Sequence, residues 1–353
     1  MQISIGISVK GAGVSGPPVP FTTEWTTTAN SEQITLPYTG AGTYTGTIDW
    51  GDGNTDVNDG TVYTHTYATA GTYTVIIDGD CIGWDVNALG GSTYWTSVVN
   101  WGQLQLGNLN SGYNFAFCPN LDLSSVQGTL DLTGVNVFAG LFYDCTSLTT
   151  INNINSWDTS AITSMAEMFY NCTSFNQALS FDTSAVETMD NMFLNTTNFN
   201  SALNLNTSAV TDMSRMFRDA TAFNQNISSF NTGAVTSMYQ MFRDATAFNQ
   251  PLSFDTSAVT TMEQMFRDAP AFNQNIGTWD VANVTSFFGF MEGKTDATFS
   301  TTNLNAIYNG WSTQSVQSSL TIDFGTAKYT SAATAGRLVL TGTALWTITD
   351  GGL

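Results

Sequence analysis

Positive charge is scarce in this chain: eight Lys and Arg stand against 28 Asp and Glu, for a net charge of −20 at pH 7. That balance repels phosphate backbones and anionic headgroups alike, so nucleic acid and membrane surfaces are poor partners. Charge of either sign makes up only 10% of the 353 residues, against roughly 25% in ordinary soluble domains; Thr, Ser, Asn and Gly carry the polar surface instead. No apolar run approaches the ~20 residues of a spanning helix, so membrane insertion is not expected. A single histidine, His65, leaves no Ser/His/Asp or Cys/His pair to be assembled elsewhere. Most carboxylates sit at repeated corners where capping explains them, which leaves glycosidase chemistry the weakest reading and no enzyme as the expectation.

What the chain does have is repetition. The stretch Met216–Gln225 recurs at Met241–Gln250 and, with one change, at Met265–Gln274. Aligned copies extend far beyond these ten residues with a period of 24 or 25. An aliphatic row runs through Val186, Val210, Val235 and Val259; a methionine row through Met189, Met213, Met238 and Met262; a phenylalanine row through Phe193, Phe217, Phe242 and Phe266. Fixed apolar rows at a fixed period predict stacked units sharing one core. Within a copy, an Asp, Thr and Ser corner followed by apolar residues at i, i+3 and i+7 suits about two helical turns, and the other half suits a short strand.

Four cysteines are present, three of them (Cys118, Cys145 and Cys172) at one repeat position where later copies place Thr196, Ala220, Ala245 and Ala269. That slot suits a small buried side chain; pairing between rungs and zinc binding remain open. Asp52, Asn54 and Asp56 alternate as in a calcium loop, but Val57 stands where the sharp-turn Gly belongs, so a plain hairpin competes with Ca²⁺ and no other cofactor is expected. The residue after each core Phe runs Tyr143, Tyr170, Leu194, Arg218, Arg243, Arg267. Read plainly these are charge ladders with the following Asp; read functionally they are a strip in which Arg forks take carboxylates and Tyr rings stack on sugars.

The Val-Thr-x-Met-x-x-Met-Phe, Phe-Asn-Gln and Trp-Asp rows resemble the BspA-like leucine-rich-repeat surface proteins, over roughly Phe115 to Lys294. The resemblance implies surface attachment. Trp50-Gly51-Asp52-Gly53, His65, Tyr67, Gly71, Tyr73 and Val75 are similar to the PKD domain, an immunoglobulin-like spacer, which implies a scaffolding role. The expected fold is thus multidomain and mainly β with short helices: an N-terminal strand and Gly/Pro linker over 1–20 as a possible anchor, an immunoglobulin-like β-sandwich over 21–82, a leucine-rich-repeat-like solenoid over 83–294 (clear from about 115), and a small α+β cap over 295–353.

Met1–Lys10 shows no basic region ahead of its alternating apolar residues, so no signal peptide is read there. Adhesin-like modules without an export signal suit a phage virion protein, assembled in the cytoplasm and released by lysis. The expectation is a structural or adhesion component on the virion exterior, homo-oligomeric, held to other virion or surface proteins by its N-terminal segment and contacting a host-surface glycan. The alternative is a bacterial cell-surface adhesin.

Overall fold

The computed structural model describes residues 18–107 and 112–353. The predicted anchor strand and most of the Gly/Pro linker lie outside the described residues, as does 108–111 at the predicted start of the repeats.

The amino-terminal part is built from strands β1 (Phe21–Thr27), β2 (Glu32–Thr35), β3 (Tyr38–Tyr44), β4 (Thr47–Asp49), β5 (Thr55–Val57), β6 (Thr64–Tyr67), β7 (Gly71–Asp78), β8 (Cys81–Trp84), β9 (Trp95–Asn100) and β10 (Leu104–Gln105). Strict alternation in β1 buries Phe21, Thr23, Trp25 and Thr27 on one face, as a period of two demands. β1 pairs antiparallel with both β7 and β9, in a five-stranded sheet of order β5-β4-β7-β1-β9. The remaining strands form a three-stranded sheet, β10-β8-β3, and a two-stranded one, β2-β6.

The expected fold class is therefore corrected. The chain is mainly β with few helices, its sheets are several and small, and none of them forms a solenoid. No clear immunoglobulin-like sandwich is present either: β8 runs across residue 82, and β9, beyond it, supplies the edge of the five-stranded sheet. Local pattern marks strands well, but which strand covers which edge depends on partners distant in sequence.

In the repeats the predicted helical turns are replaced by chains of tight turns. Glu167, Asn191, Arg215, Gln240 and Gln264 all have φ between 52 and 58°, and so, four residues later, do Asn171, Asn195, Asp219, Asp244 and Asp268. A left-handed residue every fourth position stops a helix from propagating. It also turns alternate N–H groups along the stack. The amides of Met165, Glu167, Phe169 and Asn171 donate to the carbonyls of Thr188, Asp190, Met192 and Leu194 in the next copy, while those of Met168, Tyr170 and Cys172 close turns three residues back. With the Ala166 amide on Ser164 Oγ at 3.4 Å, every backbone donor from Met165 to Cys172 is used, which is what a buried backbone requires. Strand-like pairing shrinks to isolated parallel bridges, such as Ser164 to Thr188, Thr188 to Asp212 and Asp212 to Ser237.

Asn, Asp and Gly tolerate the left-handed region best. We therefore expect Asp268→Gly to leave stability nearly unchanged, since Gly293 fills the same place in the following copy with φ 92°. Asp268→Val should cost about 1–2 kcal/mol for the strained backbone. Urea unfolding of the two variants separates them; equal midpoints would mean that the left-handed residue is not what shapes the turn.

Buried side-chain donors tie the copies further. Thr159, Thr183, Thr207, Thr232 and Thr256, all at most 1% exposed, donate through Oγ1 to the carbonyls of Asp182, Asn206, Asn231, Asp255 and Asp280 in the next copy. On the surface, Asn176, Asn200, Asn224 and Asn249 accept, through Oδ1, the amide of the matching Asn one copy on. The aliphatic, methionine and phenylalanine rows are fully buried, in one core cluster that runs from Phe21 to Trp346.

The carboxy-terminal part carries helices α1 (Thr301–Trp311) and α2 (Thr334–Leu338) and the parallel strands β11 (Thr321–Asp323) and β12 (Thr347–Thr349). Ser300 caps α1 by accepting the Asn303 amide, and Leu304, Ile307, Tyr308 and Trp311 bury its inner face at i, i+3, i+4 and i+7. Parallel bridges from Phe287 to Ile322 and from Thr295 to Thr326 carry the stacking register beyond Lys294.

Candidate binding face

The register of the turn stack places the residues after each core Phe in one row. The amides of Asn195, Asp219 and Asp244 donate to the carbonyls of Arg218, Arg243 and Arg267, and the Asp144 amide to that of Tyr170, all at 2.9 Å. Tyr143, Tyr170, Arg218, Arg243 and Arg267 thus share a face, as the strip reading requires, and each is half-buried.

The tyrosines are stacked on one another. Tyr143 and Tyr170 lie 4.3 Å apart with planes 5° from parallel, and Tyr113 sits 5.8 Å from Tyr143 on its other side. Their faces are largely spent inside the row, so what Tyr143 offers a ligand is its edge and hydroxyl rather than an open platform. The Tyr113 hydroxyl is bonded to Glu167.

The arginines are also engaged. Arg218 and Arg243 reach Asp219 and Asp244 through Nε at 3.1 Å, and their Nη1 atoms donate to Gln240 and Gln264 one copy on, at 3.0 and 3.2 Å. Arg267 pairs with Asp268 and with Glu292, both at 3.3 Å. Arg215 donates to Gln240 at 3.0 Å and lies over the Tyr239 ring. Burial, together with the neighbouring Asp219 carboxylate, holds Asp244 above the ordinary carboxylate value. The row is a neutralised ladder whose cations already have carboxylate and amide partners. Gln240 and Gln264 join the row through their side chains, and the sequence signal for them is the recurring polar residue two places after each first Met.

The candidate calcium loop is committed to local structure. Asp52 accepts from the Asn54 amide and meets His65 Nε2 at 2.8 Å; Asp56 accepts from Trp50 Nε1 at 2.8 Å; Asn54 contributes its carbonyl to the Trp50 amide at 3.1 Å. Among the described residues no group of three or more His, Cys, Asp or Glu is placed to hold a metal. His65 stacks on Trp50 at 4.8 Å and meets Tyr67 edge-on, while the Tyr67 hydroxyl donates to the Trp50 carbonyl, so these motif residues form one packed cluster.

All four cysteines are buried free thiols. Burial pushes Cys118 up to about 12 and Cys145 well above the usual thiol value, which keeps them protonated and unreactive at neutral pH. The slot is more than small. Cys145, Cys172 and Thr196 aim a donor at the carbonyls of Phe115, Phe142 and Phe169 one copy back, at 3.0, 2.9 and 2.7 Å. In the last copy the same slot holds Lys294, 2% exposed, whose ammonium donates to the carbonyls of Ala269, Pro270 and Phe272. Continuing the Cys, Thr, Ala row by one period would have marked it.

A repetitive face on a stack of turns, with its donors and acceptors in register, defines a repeat protein whose copies are joined through their backbones. Residues 113–206, 136–253, 201–304 and 252–332 match the family described as "Mycoplasma protein of unknown function, DUF285", and together these matches span well over half of the chain. The chain belongs to that family, and the match supports the likeness to BspA-like surface proteins at that coarse level. It extends past the predicted end of the array near Lys294, in keeping with the bridges to Ile322 and Thr326. No curated protein and no solved structure matches the chain. No helix among the described residues is long and apolar enough to cross a membrane.

Proposed function

We propose that this chain is a non-enzymatic, surface-displayed adhesion protein whose turn stack presents a repetitive face to an extended ligand, such as a glycan on another cell. The observation that carries the reading is the row Tyr143, Tyr170, Arg218, Arg243, Arg267, at a position that recurs once per copy in register with the backbone ladder and is interrupted by the buried Leu194. A face that repeats suits a ligand that repeats, because each added contact is intramolecular once the first is made. The amino-terminal sheets, with their PKD-like motif, act as the spacer that carries the stack.

The Mycoplasma family match favours display on a bacterial cell; a virion exterior is the second placement. Immunogold electron microscopy with an antibody to the repeats, on cultures of the source, decides between them. Label along cell envelopes is the expected result. Label confined to phage particles moves the protein to the virion, and label restricted to the cell interior overturns both placements.

A further inference from the structure

A cleft of about 350 Å³ opens between β2 and the loop that runs from Leu89 to Tyr94. Its size falls at the lower end of ligand pockets, roughly 300–1,000 Å³. It also lies where the aromatic row ends. Phe117, which lines it, sits 5.2 Å from Tyr143, and Tyr143 stacks in turn on Tyr170.

The cleft is held in shape before any ligand arrives. Gly90 and Gly91 have φ of 75 and 93°, and a Cβ on Gly91 would come within 2.3 Å of the Phe117 carbonyl oxygen, so the loop approaches Phe117 as only glycine can. The Gly91 and Ser92 amides donate to the carbonyls of Val86 and Phe117, both at 3.1 Å, and Asn120 Nδ2 donates to the Thr93 carbonyl at 2.7 Å. A preformed site does not have to order its walls when it binds.

Its chemistry is polar but uncharged. Gln33 brings an amide; Thr35, Ser92 and Thr93 bring hydroxyls; Tyr94 and Phe117 bring aromatic surface. Ser92 Oγ accepts from the Tyr94 and Trp95 amides at 3.3 and 3.2 Å, which leaves its own proton to donate. Hydroxyl and amide groups beside aromatic rings match the alternating C–H and O–H surface of a sugar. With no cation in the lining and a net charge of −20 on the chain, an acidic sugar gains nothing there.

We infer that this cleft binds one ring of a neutral glycan, with the rest of the saccharide leading out past Phe117 onto the Tyr143 and Tyr170 edges. The inference rests on the adhesion reading and names its ligand class. Calorimetry and saturation-transfer NMR on the full chain test it, using neutral gluco-, galacto- and manno-oligosaccharides and a sialylated counterpart. At least one neutral oligosaccharide should bind. Thr93→Trp, which fills the cleft from an exposed position, should weaken it at least tenfold, and Gln33→Ala by a smaller factor; Phe288→Ala, at an exposed position in the last copy outside both the cleft and the row, should leave it unchanged, with circular dichroism confirming that each variant is folded.

Binding undiminished in both cleft variants, binding of the sialylated sugar alone, or no binding of any neutral sugar would each overturn the inference. Adherence of the labelled protein to whole host envelopes is scored separately. Adherence that Thr93→Trp does not affect sinks the cleft alone; no adherence at all sinks the adhesion reading.

Discussion

Phe242→Ala is expected to lower the unfolding free energy by about 3–5 kcal/mol, the range for emptying a buried phenylalanine site. Phe242 is fully buried in the middle of the ring stack, 5.7 Å from Phe217, 5.6 Å from Phe266 and 4.1 Å from Phe248, with planes within 10° of parallel in each pair. The hole cannot close by collapse, because the backbone ladder pins the neighbouring copies at hydrogen-bond distance on either side. Each copy leans on its neighbours, so the loss is felt as a weakened junction along the whole stack. Phe288→Ala is the control: Phe288 is 59% exposed, and its removal should stay within about 0.5 kcal/mol. Guanidinium unfolding midpoints give both values. A cost for Phe242→Ala near that of the control would mean that the ring stack is not what holds the copies together.

Stability should also rise by about 1 kcal/mol between pH 7 and pH 8, and Lys294→Met should remove that rise. Burial without a carboxylate partner pulls Lys294 down to about 7, against an unfolded value of about 10.4. Over this interval the unfolded chain holds the proton that the folded chain has begun to give up, so stability increases with pH. The buried thiols act in the opposite sense. Their raised folded values mean that above pH ~8.5 the unfolded chain loses protons the folded one keeps, so stability should turn down again. At pH 8 the neutral amine still serves the buried carbonyl of Phe272, at 2.6 Å; methionine leaves that acceptor without its donor, at a cost of about 1–3 kcal/mol. Urea titrations at pH 7, 7.5 and 8 would show the effect, and a flat wild-type profile would place the ammonium in a better-solvated setting than its 2% exposure implies.

Much of the molecule could be read from spacing alone. Val210, Met213 and Phe217 repeat with their counterparts in every full copy because each copy fills the same space, and all of them are buried. The Tyr and Arg row was equally visible, since a residue that follows a core position in every copy must occupy the same face. The conformation between those positions was not. Apolar residues at i, i+3 and i+7 are common to two helical turns and to the chained tight turns that actually form. The clue was the Asn or Asp two places after each core Phe, a residue suited equally to capping and to the left-handed region. Which groups of the strip are engaged was not legible: the sequence sets Arg218 and Tyr143 on one face, and only the structure shows Arg218 bonded to Gln240 and Tyr143 stacked on Tyr170 one copy away.

By itself, then, the sequence determined the period, the inward-facing rows, the small slot at Cys118, Cys145 and Cys172, and a surface poor in charge, because these depend on residue type and interval alone. Tertiary structure decided that the copies are joined by turns and single bridges instead of continuous sheets, that Lys294 closes the small-slot row against three carbonyls, and that β9 completes the amino-terminal sheet. It also brought Gln33, Thr93 and Phe117 around one cleft. The physical reason is common to all of these: each hydrogen bond or ring contact chooses its partner in another copy or another strand, and the choice is made by which groups remain unsatisfied once the core has packed.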